Sequence, residues 1–423
     1  MKIIKTIGVF LCIGFLLVIG KISWYLIYSA TSVTCLESKP EDSFQFGKAL
    51  AINDSYIAVG DPKANRVAIY SYSKTEKQWS RTREIYPPKN SIIDRVGYGF
   101  GHSLIFHQNQ LIISAYSQPK SEIIGAEPAT EESKLAKEYH GAVYSLLLET
   151  NKRSFLQEIA LPDPFKLTGY SLTIFNNKIA LGATTEKQPY TNPSTKPGKK
   201  VLIVNPTTLE VETIIEPPSP EQKFADFGFV IDGNDDFLLV GSRGLSKKGG
   251  ALLIDKAGKI TEISSVKDPT SILLRAGASA AIADNFMVVG NTYGSGAEYG
   301  SRAEAVNTLF LRQSYRTWSL VDIVNFGGSH DTANSYVLIS TDRETSMPTS
   351  TFHLIHMLVK LDKNGAEIKS KIRWKWMPDY KYEGKGIIHN NHLLLSHKGK
   401  IVLLSMQNLP RNYVINRSFC NKK

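Results

Sequence analysis

Cysteine is scarce: the 423 residues hold three, Cys12, Cys35 and Cys420. That count excludes a zinc ribbon or a dense disulfide scaffold, both of which repeat paired cysteines at short spacing. A Gly-rich phosphate loop is missing, and so is a nucleophile elbow with its triad order. There is no Arg-Gly-Asp adhesion signal; Ser242-Arg243-Gly244 reads as a loop turn. No Lys/Arg run is interleaved with aromatics, so nucleic acid is not expected, and the net charge of +11 reads as a solvated basic surface. Two histidine pairs, His353/His356 and His389/His392, have metal-like spacing, but residues three apart on a strand point to opposite faces, so zinc is not expected. No catalytic, metal or cofactor-binding residue stands out.

One long apolar run is present. Lys2 and Lys5 precede Ile7 to Gly20, Lys21 interrupts, and Ile22 to Tyr28 continues the run. A charged start followed by an apolar core is the pattern of an export signal. The stretch also has the ~20 residues that span a bilayer. Residues 1–34 are therefore expected to be a signal-anchor or signal peptide, with an apolar helix that meets the membrane through residues 6–28. The basic end would stay inside and the rest lie outside the cytoplasm, periplasmic or extracellular, or be secreted if the segment is cleaved near Ala30-Thr31-Ser32.

Beyond residue 34 the chain repeats. Phe46-Gly47 leads to Gly60 thirteen positions on, across Ala49 to Ile52, a polar turn, and Tyr56 to Val59. The same interval joins Gly101 to Ser114, Gly169 to Gly182, Gly228 to Gly241, Gly277 to Gly290 and Gly327 to Ser340, and a looser copy runs from Gly384 to Ser396. The turns fall at Asp54-Ser55, Gln108-Asn109, Asn176-Asn177, Asp235-Asp236, Asp284-Asn285, Asn334-Ser335 and Asn390-Asn391. Asn and Asp tolerate the positive φ of a tight two-residue hairpin.

Each turn opens a short apolar strand ending at the Gly or Ser, as in Gln110 to Ile113 or Phe237 to Val240. Third strands follow, for instance Val67 to Tyr70, Val201 to Val204 and Ile401 to Leu404. More polar fourth strands are visible at Phe155 to Ile159, Leu209 to Ile214 and Trp318 to Val324. Four antiparallel strands per unit, recurring about every 50 residues, predict an all-β, seven-bladed β-propeller over residues 35–423. Stacking in a ring buries faces that one blade cannot bury alone, and Gly at the start of each first strand suits strands crowded round the axis.

Phe46-Gly47 with Ile57-Ala58-Val59-Gly60-Asp61-Pro62, Phe100-Gly101, and Phe227-Gly228 with Leu239-Val240-Gly241 resemble FG-GAP repeats. Gly141-Ala142-Val143-Tyr144 and Gly249-Gly250-Ala251-Leu252 match the same pattern. The repeat is that of the integrin α-chain propeller and of many bacterial surface proteins. The resemblance implies a ring of blades and an extracytoplasmic binding role. It would also imply calcium in an Asp-rich loop between first and second strands, but here that connection is a two-residue turn. Asp232-Gly233-Asn234-Asp235-Asp236 is too short to wrap an ion, so calcium is not expected.

Two functions follow as expectations. One is a non-enzymatic binding or adhesion module for a protein or glycan ligand. The other is a hydrolase or lyase with acidic or histidine residues facing one another at the central channel mouth. Facing carboxylates or histidines would mark the enzyme. The longest connections between second and third strands, Ala115 to His140 and Ala183 to Lys199, are expected to share one working face. The ring must also close. Pairing Thr31 to Leu36 with the last blade, whose outer strand is poorly marked near Tyr413 to Ile415, would bring Cys35 near Cys420. The alternatives there are a bridge and two free thiols.

Overall fold

The computed structural model describes residues 33–89, 91, 94, 99–116, 141–149, 155–161, 167–184, 199–218, 227–228, 230–242, 250–264, 276–283, 286–291, 301–307, 312–317, 321–323, 335–341, 355–362, 365–375, 385–397, 399–407, 409–416 and 420. The apolar N-terminal segment lies outside them. Among the described residues no helix is long and apolar enough to cross a membrane.

The chain opens with β1 (Val33–Leu36). The first sheet then runs β2 (Ala49–Ile52), β3 (Tyr56–Asp61), β4 (Arg66–Ser73) and β5 (Gln78–Ile85). The second holds β6 (Phe100–His107), β7 (Gln110–Ala115), β8 (Ala142–Leu147) and β9 (Leu156–Glu158). The third holds β10 (Leu167–Phe175), β11 (Lys178–Thr184), β12 (Lys199–Val204) and β13 (Val211–Ile215). The fourth is β14 (Val230–Gly233), β15 (Phe237–Ser242), β16 (Gly250–Asp255) and β17 (Ile260–Ser264). The fifth is β18 (Ala276–Ala283), β19 (Phe286–Asn291), β20 (Ser301–Asn307) and β21 (Arg312–Thr317). The sixth holds β22 (Val321–Ile323), β23 (Ser335–Thr341), β24 (Ile355–Asp362) and β25 (Gly365–Lys375). The last holds β26 (Lys385–His389), β27 (His392–His397) and β28 (Lys400–Ser405), while β29 (Asn412–Asn416) follows.

Four strands of each sheet pair antiparallel, in chain order in the first six sheets, and neighbouring sheets pack through their first and second strands. β26 of the last sheet packs on β2 of the first. This is a β-propeller. Period-two alternation drives it, because successive residues of one strand enter two different cores. Ile57 and Val59 pack with Leu394 and Ile401 of the last sheet, whereas Ala58 between them packs with Phe100 and Leu111 of the second. Leu394 likewise faces the first sheet, while Leu393 and Leu395 face Leu358 and Ile372 of the sixth.

The glycines act between sheets. A Cβ on Gly60 in β3 would lie 2.1 Å from the carbonyl oxygen of Gly101, which sits near the start of β6 at φ +84°. At the last-to-first junction Ser396 takes the place of Gly60. Its Oγ donates to the Gly47 carbonyl at 2.7 Å, and Gly47 adopts φ +89°. Gly is therefore required by blade-to-blade contact and by left-handed backbone, not by crowding at the axis.

The N-terminal strand closes the ring. β1 pairs antiparallel with β28, setting Cys35 opposite Val402, and a disulfide joins Cys35 to Cys420 with Cα atoms 5.5 Å apart. The connection from β1 to β2 is pinned by buried charge. Asp42 accepts from Arg66 at 2.7 Å and from Arg81 at 2.9 Å, and Asp61 lies 3.5 Å from Arg66.

Three sequence expectations are corrected. Tyr413 to Ile415 is not the outer strand of the final blade: β29 pairs parallel with β25 of the sixth sheet, and β1 takes the outer place instead. Trp318 to Val324 is not a fourth strand, because Val321–Ile323 is the first strand of the sixth sheet, pairing Val321 with Thr341, so that sheet opens ahead of Gly327. His389 and His392 are not on one strand; they face each other across the hairpin between β26 and β27.

Candidate functional site at the mouth of the ring

Strand register fixes two ends of the ring. Phe100 pairs with Ala115 and Ala115 with Ala142, so the start of β6, the end of β7 and the start of β8 share one end. The connections 116–141 and 185–198 depart from this end. The two-residue turns lie at the other.

At the turn end, side chains tie neighbouring blades together. His389 Nε2 meets Asp54 Oδ1 at 2.9 Å and Asn390 donates to the same oxygen at 2.8 Å, linking last sheet to first. Asn53 Nδ2 donates to Gln108 O at 2.7 Å, and His107 Nε2 lies 2.8 Å from Asn177 Oδ1. Asn176 N donates to Asn234 O at 3.1 Å.

The turn chemistry is also more varied than positive φ alone. Asn176, Asn177, Asn390 and Gln108 are left-handed, while Asp54, Asn109 and Asp235 are not among the positive-φ residues. At Asp54 and Asp235 the residue before the pair supplies the turn: Asn53 Oδ1 accepts from Ser55 N and Tyr56 N, and Asn234 Oδ1 from Asp236 N and Phe237 N. The Asn in that preceding place was legible in both copies as an Asx turn. Asp284 and Asn334 lie outside the described residues.

The other end is built from the residues that follow the opening glycines. Lys48, His102, Tyr170 and Lys385 are all half-buried polar residues. Ser396 Oγ bonds Gly47 O and receives Lys385 N at 3.3 Å, which sets Lys48 and Lys385 on adjoining strands. Ser114 Oγ accepts from Ser103 N at 2.9 Å, and a Cβ on Gly169 would meet the side chain of the same serine at 2.8 Å, which sets His102 beside Tyr170. Tyr116, just past β7, completes a triangle of rings. His102 lies 5.1 Å from Tyr116 and 5.4 Å from Tyr170, and the two tyrosines meet edge-on at 4.9 Å.

His102 is neutral at pH 7. Burial pushes its imidazole down to about 3, and the charges of Lys48 and Lys385 add to the shift. Among the described residues no carboxylate is among the charges acting on it. Its Nδ1 is buried and makes no hydrogen bond. The sequence reading passed over these four positions. Their shared signal is that each directly follows an opening glycine, Gly47, Gly101, Gly169 or Gly384.

In the nearest sequence candidate for a calcium loop, the buried Asp232 is taken up within the fold: it accepts from Thr173 Oγ1, Gly233 N and Ile282 N. Among the described residues no group of three or more His, Cys, Asp or Glu could hold a metal ion.

No family model matches the chain, and no curated protein does. Solved structures do. A streptogramin B lyase structure is 11% identical with a TM-score of 0.50, the match covering 89% of this chain and 97% of that one. A protein from Lactobacillus plantarum is 10% identical with a TM-score of 0.45, covering 81% and 96%. At such identities the likeness is one of fold, and the chain is similar to known proteins as a β-propeller.

Proposed function

We propose that the chain is a closed seven-bladed propeller, carried outside the cytoplasm by residues 1–34, that binds a ligand at the loop-bearing mouth of its ring without transforming it. Seven sheets in chain order with the last packed on the first support the blade count, and the FG-GAP-like motifs agree with it. The Cys35–Cys420 bridge supports export, since such bonds persist in oxidising compartments. One observation carries the binding reading. The mouth gathers Lys48, Lys385, His102, Tyr116 and Tyr170, a set suited to hold a ligand, with a histidine too weakly basic to serve as a general base near neutral pH. The hydrolase or lyase alternative needs a second acid–base group facing His102, and among the described residues the charges acting on His102 are those of Lys48 and Lys385.

The test is capture from a panel of glycans and extracellular proteins by the full-length chain in nanodiscs. The reading predicts a ligand that Tyr170→Arg no longer retains and that is recovered chemically unchanged. Recovery of a cleaved or eliminated product would establish the enzyme instead.

A further inference from the structure

Resting on residues 1–34 as a retained membrane anchor, we infer that the turn end of the ring lies against the lipid bilayer, with its outer hairpins touching the headgroup layer, so that the mouth opens away from the membrane. The direction of β1 carries this. Val33 pairs with Leu404 and Leu36 with Ile401, while Ser405 pairs with His392 beside the Asn390-Asn391 turn. β1 therefore enters the fold at the turn end and runs towards the mouth. The apolar run closes at Tyr28, five Cα steps before Val33. Those steps reach at most about 18 Å. Crossing the headgroup layer takes about 5–7 Å of that reach, so the turn end is held close to the surface.

The side chains at that end fit such a neighbour. Among the described residues seven large apolar side chains are exposed, and four of them stand here on outer hairpins. Tyr72 follows Ser71, the partner of Tyr56. Leu147, 49% exposed, pairs with Gln110, and Phe155, 77% exposed, stands one step beyond the Leu146–Leu156 pair. Ile260 pairs with Ile254, next to Asp255, the partner of Phe237. Tyr56, Gln110 and Phe237 each open a second strand straight after its turn, which puts all four side chains at one end. Water disfavours such a gathering, whereas the boundary between headgroups and acyl chains accepts apolar and tyrosine side chains alike. Exposed Lys74 and Lys77 stand in the first of these hairpins, on stems long enough to reach lipid phosphates.

Fluorescence quenching on the full-length protein in vesicles of phosphatidylcholine and phosphatidylglycerol decides it. Cys12→Ser leaves the Cys35–Cys420 bridge and no other thiol. A fluorophore is then attached at Thr75→Cys or Ala257→Cys, in the outer hairpins of the first and fourth sheets, or at Lys63→Cys, between β3 and β4 at the mouth end. Lipids carrying a nitroxide on the headgroup should quench both hairpin probes several-fold more strongly than the mouth probe, because the six residues of β3 set the two ends about 20 Å apart. Phe155→Asp together with Ile260→Asp should weaken quenching at Ala257→Cys, since each places a charge where an apolar side chain meets lipid. Melting curves check that the variants fold, and Phe155→Asp alone serves where the pair does not. Flotation of the vesicles after an alkaline wash separates the two levels. Protein washed off the vesicles removes the anchor and the inference with it. Protein that stays, with the mouth probe quenched most or all three probes alike, overturns the inference and leaves the anchor standing. Hairpin quenching that the Asp substitutions leave unchanged overturns the contact with lipid.

Discussion

Replacing Asp232 by Asn should make the fold less sensitive to pH. Asp232 is 6% exposed and stands on the first strand of the fourth sheet. Its Oδ1 accepts from Thr173 Oγ1 of the third sheet at 3.1 Å and from Gly233 N at 3.0 Å. Its Oδ2 accepts from Ile282 N of the fifth sheet at 2.9 Å. One carboxyl thus bridges three blades. Burial raises its pKa from 3.8 to about 7, outweighing the three donors. The unfolded chain ionises this group near 3.8, while the folded chain holds the proton to about 7, so between those values the folded state carries more protons. The stabilisation is complete below the lower value and is lost as pH rises to the higher one. A shift of about three units corresponds to about 4 kcal/mol, of which about 2.5 kcal/mol falls between about pH 5 and about pH 8. Asn does not titrate. Its amide donates to Thr173 Oγ1 and its carbonyl accepts from Ile282 N, while Gly233 N loses its acceptor at a cost of about 1 kcal/mol at every pH. Guanidinium unfolding at the two pH values gives the difference between variant and wild type, in which other titrating groups cancel. That difference should move in favour of Asp232→Asn by about 2.5 kcal/mol from the lower pH to the higher. A difference independent of pH would refute the raised pKa.

Other consequences follow from the ring. Cys35→Ser opens a loop of 385 residues, and the chain-entropy relation assigns its closure about 6 kcal/mol, so the guanidinium midpoint should fall sharply; an unchanged midpoint would show that β1 alone holds the ring. Gly60→Ala should cost about 3 kcal/mol or more, because its Cβ meets the Gly101 oxygen, whereas Gly258→Ala, with nothing within 4 Å, should cost about 1 kcal/mol from its positive φ alone. Comparing the two melting temperatures separates contact from conformation. Arg66→Met strips one partner from Asp42 and the arginine from Asp61, both buried, and should destabilise by about 3 kcal/mol or more in urea unfolding.

Much of this architecture was legible because propellers repeat their spacing. The interval from Gly47 to Gly60 marks a hairpin and the contact to the next blade at once, and Gly60 against Gly101 shows why both ends must be small. Legibility failed where repetition failed. The sixth sheet opens at Val321, and nothing in the sequence near Gly327 distinguishes a first strand from the hairpin beyond it. Tyr413 to Ile415 was assigned to the nearest sheet, because a parallel return to an earlier sheet leaves no local pattern. The mouth was harder still. Lys48, His102, Tyr170 and Lys385 lie more than fifty positions apart, and only the register of the glycines they follow brings them to one end. The bonds among turns, such as Asn53 to Gln108, were hidden because Asn suits a turn and a cross-blade donor equally.

Hydrogen exchange read by mass spectrometry, with and without a captured ligand, tests the location of binding most directly. The account predicts slowed exchange in peptides carrying Lys48, His102, Tyr116, Tyr170 and Lys385, and unchanged exchange at the turns carrying Asp54, Asn177 and Asn390. Protection confined to the turn end, or to the outer strands β5, β13 and β17, would contradict it.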